Sequence, residues 1–155
     1  MVHNPDSWWL ERTSRRGDPA ASRSGRAGSD LNSGEPADVV YSRYALHHLP
    51  DFWKVIALRR MADMLRPGGA LRLWDIVYNF EPADAERRID AWITETMTVD
   101  VERGWTRAAP AEHVREEQST FTWLLEPMIE RAEFDMIDAT YSASGVFARY
   151  LCSKR

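Results

Sequence analysis

The chain has 155 residues, 44% hydrophobic and 28% charged, with a formal net charge of −4, which is the size and balance of one globular domain. The acidic balance argues against a protein built to neutralise nucleic-acid phosphates, and no run approaches the roughly 18–20 apolar residues of a membrane span. Cys152 is the sole cysteine, so an internal disulfide and a cysteine-rich zinc site are both excluded and a reducing, cytoplasmic setting is expected.

Asn4, Pro5, Asp6 and Glu11 interrupt any apolar core of a signal peptide. Residues 1–33 are rich in Ser, Arg, Gly and Ala and carry one sizeable apolar group, Trp8-Trp9-Leu10. Such a segment buries too little surface to offset about 1–2 kcal/mol of backbone entropy per ordered residue. It is therefore read as a disordered or unrelated leader, with docking of that Trp-Trp-Leu group as the alternative. The domain proper is expected over 34–155.

After Glu35 the pattern sharpens. Asp38–Ser42 is a short apolar run bounded by turn residues, as in a buried strand. Pro50-Asp51 opens a helix, with Asp51 as the expected N-cap and Val55, Leu58, Met61, Ala62 and Leu65 on its apolar face. Pro67-Gly68-Gly69 stops it, and Ala70–Val77 reads as the next strand. A helical crossover between two strands favours parallel pairing in the right-handed sense. Helices follow from Pro82, from Pro110 and around Trp123–Ala132, the last with Pro127 as a kink or a start. Finally Phe134–Tyr141 and Val146–Cys152 flank a four-residue link, too short for a parallel crossover, and are expected to form an antiparallel hairpin.

ADVVYSRYALHHLPD, then a helix, then MLRPGGALRLWDIV resembles the second half of a class I S-adenosylmethionine-dependent methyltransferase. The closing hairpin resembles the end of that family's sheet, and the likeness covers 34–155. The implied fold class is α/β: a partial Rossmann-like sheet of parallel strands plus an antiparallel hairpin, with a helical insert. The family's opening strand and glycine-rich loop, and the acidic residue that accepts the ribose hydroxyls, have no match here. Gly25-Arg26-Ala27-Gly28 comes nearest, but no strand precedes it. The resemblance thus implies a small-molecule methyltransferase, truncated and of doubtful activity by itself. The competing reading is a non-catalytic interaction module that associates with a second copy through an open sheet edge at Val39–Tyr41. A Rossmann dehydrogenase ranks third, since it too needs the glycine loop.

By the same resemblance, Ser42, Arg43, Tyr44, Ala45, Leu46 and His47 face S-adenosylmethionine. Methyl transfer to a sulfonium's acceptor depends chiefly on alignment, and a base is needed only where the acceptor keeps a proton. His47 or His48 could serve as that base, against packing on the sheet and capping of the next helix. Asp75, near the carboxyl end of the second strand, is read as a substrate contact or a turn cap. Trp92 and Trp123 in the long insert are read as an apolar pocket for a small-molecule acceptor or as core. No partner in nucleic acid or membrane is expected. His3, His47, His48 and His113 show no metal-ligand spacing, even with Cys152.

Overall fold

The computed structural model describes residues 11–13, 35–99 and 109–155. Its elements are β1 (Glu11–Thr13), β2 (Ala37–Arg43), α1 (Asp51–Met64), β3 (Leu65–Tyr78), α2 (Ala85–Val99), α3 (Ala109–Glu116), β4 (Thr120–Phe121), α4 (Thr122–Arg131), β5 (Phe134–Tyr141) and β6 (Phe147–Lys154). The sheet runs β1-β2-β3-β6-β5, with β4 added to the end of β3. The expected strand–helix–strand unit is present: β2 and β3 pair in parallel, with Val40 opposite Leu71 and Arg43 opposite Trp74. β6 is antiparallel to both β3 and β5, so the expected hairpin closes the sheet.

Alternation along the strands sends one set of side chains to a covered face. Val40, Leu71, Leu73, Ala148, Tyr150 and Cys152 lie there with Leu58 and Met61 of α1 and Leu125 and Ile129 of α4. Each Leu or Met so buried contributes about 1.5–3 kcal/mol. A smaller cluster, Tyr78, Trp92 and Val146, gathers under α2.

Several boundaries differ from the sequence reading. α1 starts with Pro50 as N-cap and Asp51 as its first residue. Asp51 then pairs with Lys54 at 2.8 Å instead of capping. Lys54 is buried, while Val55 is only half-buried. The Pro-Gly-Gly segment does not stand as a loop before β3; β3 begins at Leu65 and runs through it. Gly69 is required there, because an added Cβ would meet the Arg66 carbonyl at 2.8 Å. Pro127 lies within α4.

The open edge expected at β2 is a correction. β1 pairs antiparallel along it, Glu11 opposite Tyr41 and Thr13 opposite Val39, so a three-residue ladder engages that backbone. The opposite edge, β5, carries exposed Asp135 and Asp138, charges that discourage edge-to-edge pairing. Apart from Glu11–Thr13, the expected disorder of 1–33 and the docking of Trp8, Trp9 and Leu10 lie outside the described residues, as do His3, Gly25–Gly28 and Trp105. Among the described residues, no helix is long and apolar enough to cross a membrane.

Candidate active site

β2 ends at Arg43, opposite Trp74, while β3 runs on to Tyr78, and the chain leaves β2 through a loop held against Asp75 in this last part of β3. Tyr44 takes a left-handed backbone, φ 50°, a conformation that costs a non-glycine residue about 1–2 kcal/mol. Its amide donates to the Trp74 carbonyl at 2.9 Å, extending the β2–β3 ladder by one bond. A single 3₁₀ turn, Leu46–His48, then leads into α1.

Asp75 holds this turn. Its Oδ2 accepts from the Ala45 and Leu46 amides at 3.2 and 2.7 Å, and its Oδ1 from the Ile76 amide at 2.8 Å and from His47 Nδ1 at 2.5 Å. The residue is 0% exposed. A carboxylate surrounded by donors is only an acceptor, so His47 donates through Nδ1, and Nε2 is the ring nitrogen not engaged by Asp75. Asp75 thus holds the turn after β2 and the amide of its own neighbour Ile76, and it lines neither of the cavities described below. It also removes the Ala45 and Leu46 amides from the groups free to reach a cofactor.

The insert meets the turn from the other side. The Gln118 amide donates to the His47 carbonyl at 2.7 Å. Lys54 Nζ donates to the Gln118 carbonyl at 2.5 Å. His48 Nδ1 is 2.6 Å from Glu117 Oε2, so His48 binds the insert and does not cap α1. His113 Nε2 lies 3.2 Å from Ser119 Oγ. Its pKa is lowered, first by burial and then by the neighbouring His47, because both disfavour a charged imidazole. His47, His113 and Glu117 bring ligand atoms within 4.8 Å of one another. The sequence reading, which saw no metal spacing among the histidines, missed this cluster because 66 residues separate His47 from His113.

On the opposite face of β3, Trp74 is flanked by two guanidiniums, Arg43 at 4.2 Å and Arg149 at 3.9 Å from its ring centroid. The three sit in one cross-strand row. Tyr44 packs near Trp74 and Phe147. A cavity of about 410 Å³ opens here, lined by Tyr44, Trp74, Tyr141, Phe147 and Arg149. A second, of about 590 Å³, adjoins it through Ser142 and Phe147 and is lined also by Arg88, Trp92 and Glu95.

The predicted residues therefore divide. Arg43 is exposed and Tyr44 half-buried, while Ser42, Ala45, Leu46 and His47 are buried. The Ser42 hydroxyl has no hydrogen-bond partner. Trp92 is buried, with its ring 6.3 Å from His113 and 6.0 Å from Phe147, so it separates the histidine cluster from the cavity. Trp123 is 55% exposed and stacks on Phe121, outside both cavities. Arg43 stacks on the rings of Tyr44 and Trp74, and Arg149 on Trp74, so these ring faces are already occupied by cations, while a guanidinium beside the cavity can pair with a ligand's carboxylate. Among the described residues, no acidic side chain lines the Tyr44–Trp74 cavity to accept ribose hydroxyls.

Comparison with known proteins bears on the fold and on the sequence signature. Residues 15–73 match a family model described as a methyltransferase domain, a match that begins upstream of Gly34. The chain is 38% identical over 81 residues to 27-O-demethylrifamycin SV methyltransferase of Amycolatopsis mediterranei, covering 48% of this chain and 29% of that protein. It superposes on an O-methyltransferase family 2 protein from Planctomyces limnophilus in complex with apigenin (TM-score 0.52, 16% identity), covering 82% of this chain and 33% of that one. It also superposes on LepI in complex with SAM (TM-score 0.52, 12% identity), covering 82% and 29%. The chain thus spans about a third of the length of these proteins. Its sequence resembles a methyltransferase domain over residues 15–73, and its fold resembles that of these larger proteins over about four fifths of the chain.

Proposed function

We propose that this domain supplies the acceptor-side wall of an S-adenosylmethionine-dependent O-methyltransferase acting on a small molecule. The observation that carries the reading is the buried Asp75–His47 pair, 2.5 Å apart, where the loop leaving the carboxyl end of β2 meets β3, in the region where open α/β sheets bind ligands. When bound, the donor supplies a methyl group on a positively charged sulfur. Arg43 would pair with its carboxylate beside the cavity lined by Tyr44 and Trp74.

For an acceptor in the larger cavity, Trp92 must turn aside before His47 Nε2 can take the hydroxyl proton as the oxygen becomes the nucleophile. Asp75 keeps the proton on Nδ1 and stabilises the imidazolium that results, the orienting role a carboxylate plays behind a histidine base. Trp92 and Phe147, lining the larger cavity, suit an apolar, flat acceptor. The O-methyltransferase relatives and the apigenin complex support that choice.

The test is transfer of labelled methyl from S-adenosylmethionine to a panel of phenolic and enolic small molecules. His47→Asn should lower kcat by about 10²–10⁴-fold, the usual worth of a positioned base, with KM for the donor little changed. His48→Asn should leave kcat within a few-fold. Equal losses in the two variants would reject His47 as the base.

A further inference from the structure

Four groups converge where the insert crosses the Leu46–His48 turn: His47, His48, His113 and Glu117. We propose that His47, His113 and Glu117 bind a divalent transition-metal ion, with zinc as the best match. The inference concerns binding at these residues and does not depend on the methyl-donor reading.

The donor set argues first. Two imidazoles and one carboxylate suit zinc, cobalt or nickel, whereas magnesium and calcium prefer sites built of oxygen alone. Three protein ligands leave a fourth position for water or another oxygen.

The surroundings argue second. His47 gives its Nδ1 proton to buried Asp75, which fixes the ring and presents Nε2, the carboxylate–histidine arrangement that supports bound metals. His47 is buried, and His113 and Glu117 are half-buried, so their orientation is restricted. The two backbone segments are fastened together by Gln118 N to His47 O and by Lys54 Nζ to Gln118 O. A site assembled from distant parts of the chain is therefore largely formed before any ion arrives.

The distances argue third. Zinc bonds of about 2.0–2.2 Å put tetrahedral ligands roughly 3.4 Å apart. The present spread of up to 4.8 Å must close by about 1.4 Å. Rotation of the Glu117 side chain, which now accepts from His48, can supply that movement. A metal on Nε2 of His47 excludes a proton there, so ion binding and base function are alternatives at one atom.

The experiment is calorimetric titration of zinc chloride into the full chain, without donor or acceptor, and cobalt titration followed by its visible spectrum. The expected results are one site with Kd near 10 μM or tighter (roughly the micromolar range), and the intense bands of four-coordinate cobalt. His113→Ala and Glu117→Gln should each weaken zinc binding about 10-fold or more, while His3→Ala should not. Glu117→Gln preserves shape and covers the case in which His113→Ala fails to fold, as judged by circular dichroism. Zinc binding unaltered by Glu117→Gln, lost in His3→Ala, or matched by magnesium would overturn the proposal. Absence of methyl transfer or of S-adenosylmethionine binding would bear on the proposed function and leave this result intact.

Discussion

Trp74 and Asp75 are adjacent on β3, yet they build opposite kinds of site. Asp75 points to the covered face, wholly buried, with its carboxylate taking three hydrogen bonds from the loop that carries His47 and a fourth from the Ile76 amide of β3. Trp74 points to the other face, half-buried between two guanidiniums and beside an open cavity. A buried charge needs a complete set of partners, because each one lost leaves a donor or the charge itself unsatisfied in a low dielectric. A half-buried aromatic between exposed cations has no such requirement, and its contacts are individually weak. The Asp75 side is therefore built to fix an atom in space, and the Trp74 side to accommodate a ligand's surface.

Breaking the Asp75 side should have the largest effect. Asp75→Ala strands the Ala45, Leu46 and Ile76 amides, each worth about 1–3 kcal/mol when buried and unpaired. The expected loss is about 3–5 kcal/mol in denaturant unfolding, together with release of the His47 ring visible in its NMR shifts. A loss under about 1 kcal/mol would mean that water replaces the carboxylate without penalty.

Lys54→Met comes next. Lys54 is buried and donates to the Asp51 carboxylate and the Gln118 carbonyl. Charge-assisted hydrogen bonds contribute about 1.5–3 kcal/mol, and Asp51 is half exposed, so a loss of about 2 kcal/mol is expected. Hydrogen exchange should rise locally at Gln118. Unchanged exchange there would show that the insert is held without Lys54.

On the Trp74 side, Arg149→Ala removes one stacked cation and should cost only about 0.5–1 kcal/mol by chemical denaturation. A loss as large as that of Asp75→Ala would erase the contrast between the faces.

The smallest expected effect is a pH dependence from His113. Its folded pKa lies below the ordinary 6.5, so the unfolded chain takes up a proton before the folded chain does. Stability should fall as pH drops from about 6.5 toward the folded value and be unaffected by this group above 6.5. In the presence of a chelator, His113→Asn should flatten that part of the stability profile. A profile of the same slope would assign it to other groups.

The parallel unit was legible because its signals are local: the apolar run at Asp38–Ser42, the 3.6-residue repeat of α1 and the Pro-Gly-Gly segment are each read within a few residues. The hairpin was legible from the short link before Val146. His47 beside Asp75 was recoverable in principle, since parallel pairing with Arg43 opposite Trp74 brings the loop after β2 next to Asp75. The partners themselves were not assigned, because register is a property of two strands and of neither alone. The approach of His113 and Glu117 was not legible at all. It depends on how the insert crosses the sheet, set by β4 pairing at Val77–Tyr78 and by the Gln118 contact. β1 escaped for a similar reason: Glu-Arg-Thr carries no apolar period, and its pairing comes from the edge it meets.

Calorimetric titration of S-adenosylhomocysteine into the full chain tests the central claim most directly, namely that the loop after β2 forms a wall of a methyl-donor site. The account predicts saturable binding of about 100 μM or tighter, roughly −5.5 kcal/mol, weakened several-fold by Tyr44→Ala and by Arg43→Ala and untouched by Trp123→Ala. Absence of binding by a chain that melts cooperatively, or binding indifferent to Tyr44 and Arg43, would contradict it.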